Sequence, residues 1–160
     1  MNLVKTAIKS GFGFGLTSGV ITTLGLIIGL DSSTHSKLAV IGGILTIAVA
    51  DAFSDALGMH VASEAEDGKS DGDVWRTTFS TFIFKFITAI TFIIPAWLLP
   101  LEISVPICIA WSILILVITN YYLAKSRGKK VFEVIFEHLF VATLVIVISH
   151  FLGKIINHYF

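Results

Sequence analysis

The sequence has little charge and little cysteine. Asp, Glu, Lys and Arg make up only 14% of its 160 residues, whereas soluble domains carry about 25%. Its formal net charge is zero, which gives no electrostatic attraction to nucleic acid. Cys108 is the single cysteine, and one thiol excludes both an internal disulfide and a thiolate metal site. With so little polar surface to offer water, the chain is not expected to fold as a soluble domain.

Patterns of common catalytic and nucleotide-binding sites are missing as well. The stretch GFGFGLTSG at residues 11–19 only superficially resembles a phosphate-binding loop, because no strand precedes it and no Lys-Ser/Thr pair follows. No nucleophile lies beside a base in a recognisable pattern, so we predict that the chain is not an enzyme. No segment alternates apolar and polar residues in the way that a membrane barrel strand does.

The sequence does contain long apolar runs, since 55% of its residues are hydrophobic and its mean hydropathy is +0.90. Five runs reach the roughly 17–25 residues of a membrane-spanning helix, which satisfies its own backbone hydrogen bonds in lipid. The sequence therefore predicts an all-α integral membrane protein, with one transmembrane domain over residues 1–160. Its five transmembrane helices are predicted at about 8–30, 38–62, 77–99, 104–124 and 132–156.

Lysine and arginine predict the orientation of these helices, because positive residues collect in cytoplasmic loops. With five spans, one side of the membrane holds most of them, and the other side holds only Lys37 and Lys154. The richer side has Lys5, Lys9, Lys69, Arg76, Lys125, Arg127, Lys129 and Lys130. The N-terminus is therefore predicted to be cytoplasmic and the C-terminus outside.

Two acids interrupt the second apolar run, in ADAFSDALGMHVASEAE at residues 50–66. If this helix leaves the membrane near Ala62, Asp55 lies about 10 Å deep and Asp51 about 16 Å deep. Residues four apart share a helix face, and Met59 continues the same face. A charge at such depth costs at least about 2.5–3.5 kcal/mol, so intramembrane acids indicate an ion or proton pathway.

Lys85 offers a structural alternative to that pathway. Counted from a membrane entry near Trp75, it lies about 15 Å deep in the third run, at the depth of Asp51. A structural ion pair between Asp51 and Lys85 accounts for these two charges equally well without any transport. It leaves Asp55 unexplained, unless that acid is protonated against a neighbouring helix.

The fifth run adds a second acidic set, in which Glu133 and Glu137 are four residues apart and His138 follows. With a membrane entry near Val131, Glu137 lies about 9 Å deep, close to the depth of Asp55. Carboxylates with an imidazole or a thioether suit Fe²⁺ or Mn²⁺, although oxygen-rich sites also suit Mg²⁺ or Ca²⁺. For Glu133 a solvated interface position is the alternative, and for His138 a packing role. The candidate metal ligands are thus Asp51, Asp55, Met59, Glu137 and His138, with Glu64 and Glu133 at the cytoplasmic entrance.

Glycines recur at every fourth position in the first run, which is typical of helices that pack closely. They are Gly11, Gly15 and Gly19, followed by Gly25 and Gly29. We expect another helix to approach this face, and a helix of a second subunit is one candidate.

Two stretches carry a family resemblance. GLTSGVITTLGLIIGL at residues 15–30 and AFSDALGMHVASEAE at residues 52–66 resemble the first helix and the end of the second helix in the vacuolar iron transporter family. That resemblance implies a five-helix homodimer that moves Fe²⁺ or Mn²⁺ out of the cytosol in exchange for protons. The family's first-helix acid falls on Ser18, its second-helix methionine on Asp55 and its glutamate on Met59. An acid and a thioether have thus exchanged places one turn apart, and Asp51 offsets the loss of the first-helix acid.

These observations lead to one expectation and one alternative. We expect a multi-pass protein of the cell membrane, of the short prokaryotic type without a cytoplasmic metal-binding insertion, that exports a divalent metal. Its partners are then the metal, protons, lipid and a second copy packed through glycine-rich faces, with no permanently bound cofactor and no nucleic acid. In this scheme Lys85 is the charge partner of Asp51. The alternative is a non-transporting membrane protein in which Asp51 and Lys85 only hold helices together.

Overall fold

The structure, a computed structural model, describes residues 3–160 and consists of six helices with no strand among those residues. The helices are α1 (Leu3–Thr34), α2 (Lys37–Glu64), α3 (Asp71–Thr91), α4 (Ile93–Leu98), α5 (Leu101–Ser126) and α6 (Val131–Tyr159). Because α3 and the short α4 form one continuous apolar segment, five segments are long and apolar enough to cross a membrane. The prediction of an all-α protein with five such helices is confirmed. The helices extend a few residues beyond most of the predicted boundaries.

Short polar residues mark where two of the helices begin. The Ser36 hydroxyl accepts a hydrogen bond from the Ala39 amide at the start of α2, and the Ser70 hydroxyl accepts one from the Asp73 amide at the start of α3. Each bond satisfies one of the backbone donors that the first helical turn leaves without a partner. The third span is interrupted at Phe92, since Pro95 has no amide hydrogen for the preceding turn.

Helix α1 is the centre of the bundle, where it packs against α2, α3, α5 and α6. Its glycines allow the close approach. A Cβ atom added at Gly11 would lie 2.5 Å from the Thr77 carbonyl oxygen of α3, and one added at Gly25 would lie 2.7 Å from a Val145 methyl of α6. The glycine face predicted from the sequence is therefore covered by helices of the same chain.

The outer surface of the bundle is apolar. Large hydrophobic side chains are exposed along every span, and on α6 only 6% of the most apolar window is buried. Phe132, Phe136 and Phe140 illustrate this, because they are 80%, 61% and 54% exposed and stack along one face. Soluble monomers rarely expose contiguous apolar patches beyond a few hundred Å². The architecture is that of a membrane protein.

Helix α2 also presents an exposed stripe of small residues, which we call the α2 stripe. Among the described residues, nothing lies within 4 Å of a Cβ atom added at Gly42 or Gly58. Gly-xxx-small spacing on a free face permits a second helix to pack closely in lipid. The stripe consists of Gly42, Thr46, Ala50, Ser54, Gly58 and Ala62, all exposed.

Candidate functional site

A buried charge cluster lies in the middle of the spans and consists of Ser18, Asp51, Asp55 and Lys85. Lys85 is only 1% exposed. Its Nζ lies 2.6 Å from Asp51 Oδ2 and also contacts Asp55 Oδ2. Nζ donates to Ser18 Oγ at 3.0 Å, and the Ser18 hydroxyl donates to Asp55 Oδ2 at 2.6 Å. The ammonium therefore has three oxygen neighbours, supplied by α1 and α2.

Close helix packing brings these side chains together. On α2, Asp51 and Asp55 are four residues apart and share a face, and the alanines that follow each acid, Ala52 and Ala56, are buried. On α1, a Cβ atom added at Gly15 would lie 3.1 Å from the Lys85 amide nitrogen, and one at Gly19 would lie 3.2 Å from its carbonyl oxygen. Because α1 runs directly against the α3 backbone at Lys85, the hydroxyl of Ser18 reaches the ammonium.

The charges of the cluster do not balance. Two carboxylates face one ammonium, so with all three groups ionised the net charge is −1. The Lys85 side chain is 2% exposed, while the side chains of Asp51 and Asp55 are 26% and 21% exposed. Asp51 Oδ2 is itself inaccessible and accepts no well-aligned hydrogen bond from any residue of the described chain, despite its short distance to Lys85. The cluster thus retains negative charge that its own lysine leaves uncompensated.

A cavity of about 350 Å³ opens at the end of the bundle that carries the α2–α3 and α5–α6 connections. We call it the end cavity. Three of the predicted ligands line it, namely Met59 of α2 with Glu137 and His138 of α6. The buried Asn120 and the exposed Arg127 and Lys129 also line it. With His138 neutral, the charged side chains of the lining sum to +1.

The ring of His138 is oriented by its own helix. Nδ1 lies 2.7 Å from the Val134 carbonyl oxygen, which can only accept a hydrogen bond, so Nδ1 carries the proton. In a neutral ring this leaves the lone pair on Nε2. Histidines that bind metals commonly hold their second nitrogen in this way, through a backbone carbonyl.

The structure divides the predicted metal ligands into two groups. Asp51 and Asp55 contact Lys85, whereas Met59, Glu137 and His138 line the end cavity. Across the described residues, no group of three or more His, Cys, Asp or Glu side chains could hold a metal ion together. The division follows from the packing, since α2 lies mainly against α3 and α1 while α6 lies mainly against α1 and α5.

The two groups are nevertheless neighbours along α2. Met59 follows Asp55 by four residues, a rise of about 6 Å along the helix axis. On α1, Thr17 lines the end cavity and precedes Ser18 of the cluster. The end cavity therefore stops about one helical turn from the buried charge cluster.

The two acids predicted at the entrance have basic partners near helix ends. Glu64 Oε1 lies 3.4 Å from Nε2 of His60, whose Nδ1 lies 2.9 Å from the Thr78 hydroxyl. Glu133 is exposed and accepts a 2.7 Å hydrogen bond from Lys130. Within the part of the chain that the structure describes, neither acid lines the end cavity.

Sequence reasoning gave no role to Ser18, His60 or Asn120. Ser18 lies between Gly15 and Gly19, and a polar residue on a close-packing glycine face is the signal that points to it. Asn120 is a polar residue in a strongly apolar run and is 2% exposed.

No protein-family model matches the chain, and no curated protein or solved structure matches it either.

Proposed function

We propose that the chain is a transporter that exports a divalent metal ion, Fe²⁺ or Mn²⁺, from the cytoplasm across the cell membrane. The convergence of Met59, Glu137 and His138 on the end cavity is the observation that carries this proposal. A thioether, a carboxylate and an imidazole with a free Nε2 form a mixed ligand set that suits a first-row transition metal. The family resemblance of residues 15–30 and 52–66 supports the same cargo.

The direction of transport in this proposal follows from the positive residues. The end cavity is lined by Arg127 and Lys129 of the connection between α5 and α6, which reads RGKK at residues 127–130. The end of a membrane protein that is rich in these residues is normally cytoplasmic. The metal then enters the end cavity from the cytoplasm and moves toward the buried charge cluster.

Protons are the proposed counter-ion. The cluster holds one carboxylate more than its lysine neutralises, and intramembrane carboxylates commonly carry protons in transporters. Binding of one proton to Asp51 or Asp55 would neutralise the surplus charge of the cluster. No permanently bound cofactor enters this proposal.

Flux measurements in liposomes test the proposal. The purified protein is reconstituted with a metal-sensitive dye inside, and entry of Mn²⁺ is followed together with internal pH. We expect the wild-type protein to move Mn²⁺ with opposite proton flux, and Glu137→Gln to slow the flux at least about tenfold, which corresponds to about 1.4 kcal/mol. Glu133→Gln, the same change one turn earlier on α6, is the matched control and should retain wild-type flux, because Glu133 pairs with Lys130 and does not line the end cavity.

The positively charged residues that line the end cavity provide a test of whether the transported ion is a cation. Removing Arg127 and Lys129 together, as Gln variants, takes two like charges away from a bound cation. We therefore expect the double variant to need several-fold less Mn²⁺ for half-maximal flux, since each 1.4 kcal/mol of removed repulsion is a factor of ten. A higher Mn²⁺ requirement would refute the metal site in the end cavity.

A non-transporting membrane protein is the second candidate, and the contact of Lys85 with both aspartates favours it. In that case the cluster only joins α1, α2 and α3. Wild-type liposomes that show neither Mn²⁺ nor Fe²⁺ flux, although the protein is folded and inserted, would support this candidate.

We also propose that the protein is a homodimer. The glycines of α1 are occupied within the chain, so the α2 stripe replaces them as the proposed contact between subunits. Its small side chains and free glycines fit a second copy of the same helix.

A further inference from the structure

We infer that Ser18, Asp51 and Asp55 form a binding site for a divalent cation, and that the ammonium of Lys85 occupies this site as a built-in competitor. The inference deepens the proposed function, on which it rests for the identity of the cation. It assigns to Lys85 a regulatory part, since the cargo must displace the lysine before it can occupy the middle of the membrane.

The contacts around Lys85 Nζ are those of a bound cation. Three oxygen atoms from α1 and α2 surround it: Asp51 Oδ2 at 2.6 Å, Ser18 Oγ at 3.0 Å and Asp55 Oδ2. An ammonium has three N–H donors, and here the number of oxygen neighbours is the same. Two carboxylates and a hydroxyl are also oxygen ligands of the kind that Mn²⁺ and Mg²⁺ accept.

The charge of the site suits a divalent ion better than it suits an ammonium. Asp51 and Asp55 together carry −2 when ionised, so Lys85 leaves −1, whereas a divalent ion leaves zero. Asp51 Oδ2 is inaccessible and lies 2.6 Å from Lys85 Nζ, but it has no aligned hydrogen bond within residues 3–160, so the lysine meets this oxygen with poor geometry. In the low dielectric of the spans, an unbalanced charge is costly.

The flexibility of its side chain makes the lysine a suitable competitor. An ammonium on a four-carbon stem is a compact charge with several rotatable bonds. The end cavity, where Met59 lies, is about one helical turn away. A metal ion in that cavity is thus close enough to exchange with the ammonium, and Lys85 refills the site when the metal leaves.

Mn²⁺ binding to purified protein in detergent tests this inference. Free Mn²⁺ is measured by its electron paramagnetic resonance signal. All variants carry Glu137→Gln, which lowers the affinity of the end cavity for Mn²⁺. We expect Lys85→Met to bind one Mn²⁺ per chain more than the same protein with Lys85. We expect Lys85→Arg, which keeps the positive charge, to show no gain, and Asp51→Asn with Asp55→Asn to abolish the gain of Lys85→Met.

Each outcome decides the inference. Folded Lys85→Met protein that binds no more Mn²⁺ than its parent overturns it. If Lys85→Met and Lys85→Gln both lose helical signal, recovery of that signal on adding Mn²⁺ supports it, and a lack of recovery refutes it. If the wild-type protein shows flux but Lys85→Met gains no Mn²⁺ binding, the transporter proposal stands and only this site is refuted. If Lys85→Met gains binding but the wild-type protein shows no flux, this site stands and the transporter proposal is refuted.

Discussion

Replacing Gly15 with alanine should loosen the contact on which the buried charge cluster depends. A Cβ atom at this position would lie 2.7 Å from the Thr81 carbonyl oxygen, and ordinary contacts begin at 3.4 Å. Since both atoms are fixed to helical backbones, α1 and α3 must separate by about 0.7 Å, the difference of these two distances. The separation also draws Ser18 away from Lys85.

The magnitude follows from the distances at three glycines. Overpacking of this kind costs about 1–3 kcal/mol, and we expect Gly15→Ala to fall in the upper half of that range because a carbonyl cannot turn away. At Gly19 the closest atom is 3.2 Å away, so a shift of a few tenths of an ångström suffices and the cost should stay below about 1 kcal/mol. At Gly58 the space is open to the described residues, so in the monomeric protein alanine should gain up to about 1 kcal/mol from helix propensity.

Unfolding in mixed micelles measures these three changes. The protein in a mild detergent is titrated with sodium dodecyl sulfate, and the loss of helix is followed by circular dichroism. We expect the midpoint to fall for Gly15→Ala, to change little for Gly19→Ala, where helix propensity offsets the packing cost, and not to fall for Gly58→Ala. Equal shifts for Gly15→Ala and Gly58→Ala would refute the close packing of α1 against α3.

Two further predictions concern a helix start and the α2 stripe. Ser70→Ala removes the hydroxyl that caps the amide of Asp73, so it should lower the free energy of unfolding by about 1 kcal/mol. It should also speed hydrogen exchange of the first α3 amides several-fold, and unchanged exchange would count against the cap. In a Cys108→Ser background, Ser54→Cys should form disulfide-linked dimers in membranes, because the proposed homodimer places the α2 stripe against a second copy. Leu144→Cys on the exposed face of α6 is the control, and equal cross-linking at both positions would contradict the proposed interface.

The helices could be predicted from the sequence because lipid imposes a simple rule. Every spanning segment must be apolar over a fixed length and must bond its own backbone. The runs around α1, α2, α5 and α6 meet that rule with little ambiguity. The division of the third span into α3 and α4 depends on the local effect of Pro95, which length and composition do not reveal.

The buried charge cluster could be predicted only in part. The depth along each helix matched Asp51 with Lys85, and the structure contains that pair. Depth does not fix the rotation of a helix about its axis, so the second contact of Lys85, with Asp55, was missed. The role of Ser18 depends on α1 lying against α3, and the glycine spacing of α1 predicts a close helix without identifying it as α3.

The same limit explains why the predicted ligand set is divided. Asp55 and Glu137 have similar estimated depths, but depth says nothing of which helices are neighbours. The glycines of α1 show the point most directly, since their spacing predicts a close helix without identifying it. The structure identifies that helix as α3 around Gly15 and as α6 around Gly25.

The position of Lys85 has a consequence for the synthesis of the protein. A lysine near the middle of a span opposes insertion of that span alone, but Asp51 and Asp55 precede it in the chain and are made first. α2 is therefore already available as a partner when α3 emerges from the ribosome. The two helices are expected to enter the bilayer together as a hairpin, with the ion pairs formed during insertion. Helix α1 is expected to pack against this hairpin through its glycines.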